Sequence, residues 1–399
     1  MKSNKFVCIA GKNNIAVDVL DYLLTCSNRN YQIGVLCNKT ETGIDGWQKS
    51  FRKYAKEHKI PEYQLEDLYD VDNLIFISLE YDRIIKPEKF INARLYNIHF
   101  SLLPAYKGMY TSVWPILNGE EITGVTFHCI DSGIDTGDII RQKNFKIERY
   151  YTVRDIYEQY IKYGTQLVLE CIEDTISNNI KPIRQSPIGS TYYSRKTIDY
   201  SNIQIDLHQT AEGIDRQIRA FNFREYQMPV VYGKAIIDTK ILSSKSIRKA
   251  GTILEQNLKG IRLSTIDYDI MLFYDRLEEC LNACKQGDLD GVKEICTVQK
   301  HIHERNCKGW TPLIVATYYG HTAMVKYLLS VGADIHDKNY HGTNLLMYAK
   351  EAFLKCGNKE LFNLFYNMGL KVEEKDFYNK DVVQYLEESG YKLQDIIEE

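Results

Sequence analysis

Three carboxylates fall within eight residues, each near a glycine, in the stretch HCIDSGIDTGDII from His128 to Ile140. Asp131, Asp135 and Asp138 invite an acid–base reading. An Asp-Thr-Gly triplet in an aspartic protease needs a second carboxylate held against the first, so that the two share a proton. The only similar triplet here is Asp-Ser-Gly four residues earlier, too close to face it. The oxygens also miss the alternating spacing of an EF-hand loop. A different partner lies upstream, in YNIHFSLLPAYKG (96–108), where Asn97 and His99 stand two residues apart. Strand periodicity puts both on one face. An amide can donate to a developing oxyanion, and an imidazole can take or give a proton near neutral pH. Together with a carboxylate they supply the parts of an acyl-transfer centre.

These residues need a scaffold, and residues 5 to about 185 provide an alternating one. KFVCIA, YQIGVLCNK, NLIFISLEY, RLYNIHF and GVTFHCI read as short apolar strands, separated in the first half by helical patterns such as GKNNIAVDVLDYLL. Strands spaced by helices imply a largely parallel sheet, with ligands at the strand carboxyl ends. GKNNIA opens the first helix but lacks the G-x-G-x-x-G of a dinucleotide site. The long periodic stretch TVRDIYEQYIKYGTQLVLECIEDTISNN closes this region. From 186 to 270 alternating patterns such as VVYGKAIIDTKIL suggest a small β-rich domain.

The last part, 271–399, repeats itself. Ala283, Ala316 and Ala349 are 33 residues apart, as are Gly287 and Gly320, and Gly309 and Gly342. GWTPLIVATYYGHTAMVKYLLSVGAD carries Thr-Pro-Leu, Gly-His and Gly-Ala-Asp at ankyrin offsets, with Pro at a first-turn position. Gly332 and Gly369 lie 37 apart, which implies a four-residue insertion around KCGN. About three repeats result, near the minimum that buries a continuous core. Cys296, His301, His303 and Cys307 imitate a zinc spacing, but their place between helical pairs favours ordinary packing.

Composition narrows the partners. A net charge of −3 and a pI near 6.3 give no basic footprint for nucleic acid or an anionic membrane. No apolar run reaches bilayer length. The start, MKSNKFVCIAGKNN, shows no signal-peptide pattern, and ten scattered cysteines suit reduced thiols, so a cytoplasmic setting is expected.

The blocks NIHFSLLPAYKG and GVTFHCIDSGIDTGDII, intact and in this order, resemble the signature of folate-dependent formyltransferases. The resemblance implies a Rossmann-like parallel-sheet catalytic domain over 1–185, and places the family's catalytic Asn, His and Asp on Asn97, His99 and Asp135. It implies N10-formyltetrahydrofolate as formyl donor, without a metal. The pterin would lie near Ser78, Leu79, Glu80, Tyr81, Ile130 and Asp131. RAFNFREYQMP (219–229), in a short middle domain, resembles the sugar N-formyltransferases that act on dTDP-linked amino sugars. This implies acceptor contacts at Phe221 and Tyr226, where flat rings could stack on thymine, and a homodimer through the middle domain. Lys107 and Tyr110, in AYKGMYTS, could reach the acceptor's phosphates or sugar. An ankyrin extension is further similar to family members that formylate dTDP-3-amino-3,6-dideoxyglucose for surface polysaccharide (lipopolysaccharide O-antigen); a 4-amino sugar stays open as the alternative. For the repeats, two roles are expected: a protein-binding scaffold, or a regulatory ligand site at Trp310, Tyr318 and Tyr319.

Overall fold

The computed structural model describes residues 5–26 and 30–397, which form two compact units, Met1–Pro229 and Val230–Glu399. The first unit begins with β1 (Lys5–Gly11), α1 (Asn13–Thr25), β2 (Tyr31–Cys37), α2 (Phe51–Glu57), β3 (Leu74–Leu79) and β4 (Ala93–His99). It continues with β5 (Lys107–Gly108), α3 (Trp114–Asn118), β6 (Ile122–Cys129), β7 (Ile139–Lys146), α4 (Val153–Ser177), β8 (Tyr192–Tyr193) and α5 (Ala211–Phe221). Six strands make one sheet in the order β2-β1-β3-β4-β6-β7. The pairs among β1 to β4 are parallel, whereas β4–β6 and β6–β7 are antiparallel.

The parallel expectation therefore holds for one half of the sheet. β7 reverses against β6 because the two are joined by a loop too short for a crossover helix, and that loop is the Asp/Gly stretch itself; β6 runs antiparallel to β4 although α3 lies between them. β1 and β3 are apolar on both faces and nearly fully buried, as central strands covered on both sides must be. α1 and α4 cover one face with Ile15, Val19, Leu20 and Leu23 from the former and Ile156, Tyr160, Val168 and Ile172 from the latter. Thr152 starts α4 as a capping box with Asp155, and Asn178 ends it in the left-handed region.

Residues 186–229 pack with this unit, and the compact boundary falls at 229/230. The reason lies in α5: Ile214, Ile218, Ala220 and Phe221 are buried, and Phe221 and Phe223 join the main core. The alternation in GSTYYSRK yields only the two-residue β8, which pairs with β5.

The second unit opens with an antiparallel sheet of β9 (Val230–Val231), β10 (Lys234–Ile241), β11 (Ile253–Gln256), β12 (Gly260–Leu263) and β13 (Ile270–Tyr274), in the order β11-β12-β13-β10-β9. Helices α6 (Leu277–Gln286), α7 (Leu289–Ile295), α8 (Lys300–His303), α9 (Pro312–Tyr318), α10 (Thr322–Ser330), α11 (Leu345–Cys356), α12 (Glu360–Asn367) and α13 (Val382–Glu388) follow. The pairs α6/α7, α9/α10 and α11/α12 are the three repeats. Thr311 caps α9 and Asn344, 33 residues on, caps α11 by the same side-chain bond to the third backbone N–H. Ala283, Ala316 and Ala349 are all buried between helices. The insertion around KCGN appears as the longer α11.

Cys296 and His301 serve packing: the Cys296 and Cys280 sulfurs are 3.8 Å apart, and His301 Nε2 accepts the Arg276 backbone N–H at 3.0 Å. Cys307 is exposed. Among the described residues, no three His, Cys, Asp or Glu side chains are grouped to hold a metal, and no helix is long and apolar enough to cross a membrane.

Candidate active site

Three neighbouring strands bring polar groups into one row at the carboxyl ends of β3 and β4. Ser78 pairs with Asn97, and Asn97 with His128 of β6. His99, the last residue of β4, is buried at 7% exposure.

The SLLPAY turn after β4 is bolted down by side chains beneath it. Thr126 Oγ1 donates to the Ser101 carbonyl (2.7 Å) and accepts the Leu103 N–H (3.1 Å). Gln142 Nε2 donates to the Leu103 carbonyl and to Thr126 Oγ1, each at 2.8 Å. The turn thereby carries the Tyr106 carbonyl back to His99 Nε2, at 2.8 Å. A carbonyl only accepts, so Nε2 bears a proton and Nδ1 is the nitrogen left for chemistry.

Nδ1 faces Asp135, whose Oδ1 lies 3.5 Å away. Asp135 Oδ2 accepts the Gly108 N–H at 2.9 Å, and its backbone carbonyl accepts Gln185 Nε2, also at 2.9 Å. Gln185 also donates to the Gly137 carbonyl at 2.7 Å, so one amide holds the loop at two points. Asp135 adopts φ +54°, and Glu80, Tyr106 and Tyr110 around the same strand ends are left-handed too. Such conformations cost energy and cluster where a side chain must be aimed.

His128 completes the cluster. Its Nε2 is 3.7 Å from Asp135 Oδ1, and its Nδ1 is 2.8 Å from the Cys129 carbonyl. That carbonyl requires Nδ1–H, leaving Nε2 to accept from Asn97 Nδ2 at 3.2 Å. Burial, and then the charge of nearby His99, push the His128 pKa down to about 4, against the opposite pull of Asp135. His128 is thus a neutral prop that spends one N–H of Asn97 to aim the other.

The remaining residues singled out in the sequence divide. Asp131 is exposed and closes its own turn, its Oδ1 accepting Gly133 N–H (3.0 Å) and Thr136 Oγ1–H (2.6 Å). Asp138 is exposed, and its backbone carbonyl accepts the Cys129 N–H. Tyr81 and Ile130 pack on the face occupied by Phe6, Phe76 and Leu95, while Ser78 and Leu79 are buried. Glu80 turns to the other face, where the Tyr157 hydroxyl donates to it. Lys107 lies in β5, and the Tyr110 ring meets Tyr200 edge-on, 4.8 Å between centroids. Phe221 is core at 8% exposure, whereas Tyr226 is 57% exposed beside Trp47 and Phe223. Sequence reasoning left out His128 and Gln185. The first had a signal, since its register sets it opposite Asn97; Gln185 had none.

Known proteins resemble this chain in sequence and fold. Residues 11–172 match the formyl transferase family model, and residues 281–376 match a model of three ankyrin repeats. WlaRD, a sugar 3N-formyl transferase crystallised in the presence of dTDP and 5-N-formyl-THF, is 42% identical, with a TM-score of 0.63, covering 68% of this chain and 98% of that one. The N-formyltransferase from Helicobacter canadensis, in complex with folinic acid and dTDP-3-aminofucose, is also 42% identical, with a TM-score of 0.63, covering 67% and 99%. Methionyl-tRNA formyltransferase of Clostridium beijerinckii is 29% identical over 235 residues, 54% of this chain and 73% of that protein. The family model and the likeness to these enzymes place the chain among the formyltransferases. Within that family the chain belongs to the sugar N-formyltransferases, and it carries an ankyrin-repeat region.

Proposed function

We propose that the enzyme transfers the formyl group of N10-formyltetrahydrofolate to the amine of a dTDP-linked 3-amino-3,6-dideoxy sugar, a building block for surface polysaccharide. The observation that carries the reaction is the cluster of Asn97, His99, His128 and Asp135 at the strand ends. Likeness to two sugar enzymes, over nearly their whole length, favours the sugar acceptor over tRNA.

Tyr81 and Ile130, partly buried against the apolar cluster of Phe6, Phe76 and Leu95, offer the flat apolar contacts that a pterin ring needs. When bound, the folate supplies the electrophilic formyl carbon. Asn97 offers its second N–H to the oxygen that gains charge as the amine attacks. His99 takes the amine's proton at Nδ1, the nitrogen not committed to Tyr106. The imidazolium then lies beside the Asp135 carboxylate, which stabilises it until it gives the proton to the folate N10 as the formyl C–N10 bond breaks and tetrahydrofolate leaves. His128, neutral above about pH 4, holds Asn97 without competing for the proton.

Paired kinetics with dTDP-3-amino and dTDP-4-amino hexoses test the acceptor. The 3-amino sugar is expected to have the higher kcat/KM, by at least about tenfold, because a displaced amine misses the reacting geometry. A preference for the 4-amino sugar would defeat this choice.

For the repeats we propose a ligand site at Trp310, Tyr318 and Tyr319. The Trp310 ring lies 5.4 Å from Tyr318 and 5.6 Å from Tyr348, and Tyr319 lies 5.2 Å from Tyr318. Lys355 sits over Tyr318, and Lys308 and Lys285 stand 5.8 and 5.9 Å from the Trp310 and Tyr319 rings. Tilted and edge-on rings flanked by lysines suit a base and a diphosphate, two parts of the enzyme's own acceptor. Calorimetry of the full chain with dTDP-sugar is expected to show two binding events, one of them abolished by Trp310→Ala. A single event, unaltered in that variant, would leave the repeats as a protein-binding scaffold.

A further inference from the structure

Glu80 follows the same strand as Ser78, yet it does not join Tyr81 and Ile130 on the pterin-facing side. Its positive φ of 62° swings the side chain across the end of β3 to the face covered by α1 and α4. There the Tyr157 hydroxyl lies 2.8 Å from both carboxylate oxygens, and Asn13 Nδ2 lies at 3.5 Å. Gln48 Nε2 and Asn13 Nδ2 each reach the Tyr157 oxygen at 3.3 Å, so the hydroxyl that serves Glu80 is itself fixed. Asn38, 2% exposed, donates Nδ2 to the Glu80 carbonyl at 2.8 Å, while its own buried Oδ1 has no partner.

The supply of donors around Glu80 is too small. A carboxylate accepts about four hydrogen bonds, and here two donors reach it. Burial accordingly raises the Glu80 pKa, with the Lys12 charge as the main opposing influence. A partly buried carboxylate and an orphaned amide oxygen need hydroxyl or amine donors from elsewhere.

The surroundings tell which molecule brings them. Trp47, Phe223 and Tyr226 form a ring wall beside Tyr157, with centroid separations of 4.6 to 6.3 Å. Phe100, the residue after His99, touches Tyr157 at 6.1 Å. Lys12 acts on both Glu80 and Tyr226. A polyhydroxylated ring, a diphosphate and a flat base match the carboxylate, the lysine and the aromatic wall gathered around Glu80 and Tyr157.

We propose that Glu80 is a specificity residue for the acceptor, its carboxylate taking hydrogen bonds from a hexose hydroxyl, and that it does not contact the formyl donor. This rests on the sugar-nucleotide reading above. It reassigns a residue that the family resemblance places beside the pterin. A site built around a hydroxyl discriminates against the deoxy analogue, because the buried acceptor is then left unpaired.

The test is steady-state kinetics of the full chain, varying each substrate separately. Glu80→Gln is expected to raise the acceptor KM about 10- to 100-fold, with the KM for N10-formyltetrahydrofolate held within about twofold. A substrate-side arm does not depend on how that variant folds. With the wild-type enzyme, acceptor analogues lacking one hexose hydroxyl at a time are compared, and one of them should lose about the same factor. Glu80→Gln should then no longer distinguish that analogue from the parent sugar. A rise in the folate KM instead, or wild-type indifference to every deoxy analogue, overturns the proposal. Turnover of no dTDP-amino sugar by the wild type would sink the acceptor reading and this proposal with it. Normal turnover with an unmoved acceptor KM in Glu80→Gln sinks only the role of Glu80.

Discussion

Asp135→Asn is expected to lose about two to four orders of magnitude in kcat, with both KM values within a few-fold of wild type. The substitution keeps the side chain's shape, and an amide oxygen can still accept the Gly108 N–H that anchors Asp135 Oδ2 at 2.9 Å. What disappears is the charge 3.5 Å from His99 Nδ1. His99 Nε2 is held on the Tyr106 carbonyl, so the imidazolium formed at Nδ1 depends on the Asp135 carboxylate. His128 offers no substitute, since burial and His99 keep it neutral down to about pH 4. His99→Ala should cost as much. The double variant should be little worse than either single one, as expected for groups that act as a unit. Strictly additive losses, or near-normal turnover in Asp135→Asn, would refute the pairing.

Gly137→Ala should be nearly as damaging although it removes no functional group. A Cβ at that position would lie 1.8 Å from the Cys129 carbonyl oxygen and 2.7 Å from its carbon. Both are backbone atoms of β6, so nothing can rotate aside. The chain must move, and it moves the loop on which Asp135 sits two residues earlier. The Gln185 bonds to the Asp135 and Gly137 carbonyls are strained by the same shift. A displacement of about an ångström costs roughly a hundredfold in rate, and the overpacking about 1–3 kcal/mol in stability. Gly46→Ala is the control, because a Cβ there meets nothing within 4 Å. Urea unfolding and kcat measured on both variants decide the point. A Gly137→Ala enzyme with wild-type turnover would show that the loop tolerates what the geometry forbids.

Much of this site was legible in the sequence, and the reasons are physical. Asn97 and His99 sit two apart on a strand, and strand periodicity alone puts them together. The 33-residue spacing of small residues gave away the repeats because each helix pair repeats the same close approach. Other features depend on long-range packing that leaves no local mark. Gln185 reaches the carboxylate loop from 50 positions away. Glu80 and Tyr81 are consecutive, yet they serve opposite faces because of one positive φ that glutamate does not advertise. Phe221 and Tyr226 look alike as aromatic residues in one short stretch. Phe221, the last residue of α5, turns into the core, whereas Tyr226 lies in the turn beyond the helix and is 57% exposed. That residues 186–229 pack with the first unit was hidden for the same reason, since an amphipathic helix such as α5 does not declare which core its apolar face will join.

Product analysis by mass spectrometry tests the central claim most directly. The full-length enzyme is given N10-formyltetrahydrofolate with equal amounts of a dTDP-3-amino-3,6-dideoxyhexose and methionyl-tRNA. One formyl mass on the sugar nucleotide, absent with Asp135→Asn and with no formylmethionyl-tRNA formed, is the result expected. Formylation of the tRNA while the sugar amine stays free would contradict the account.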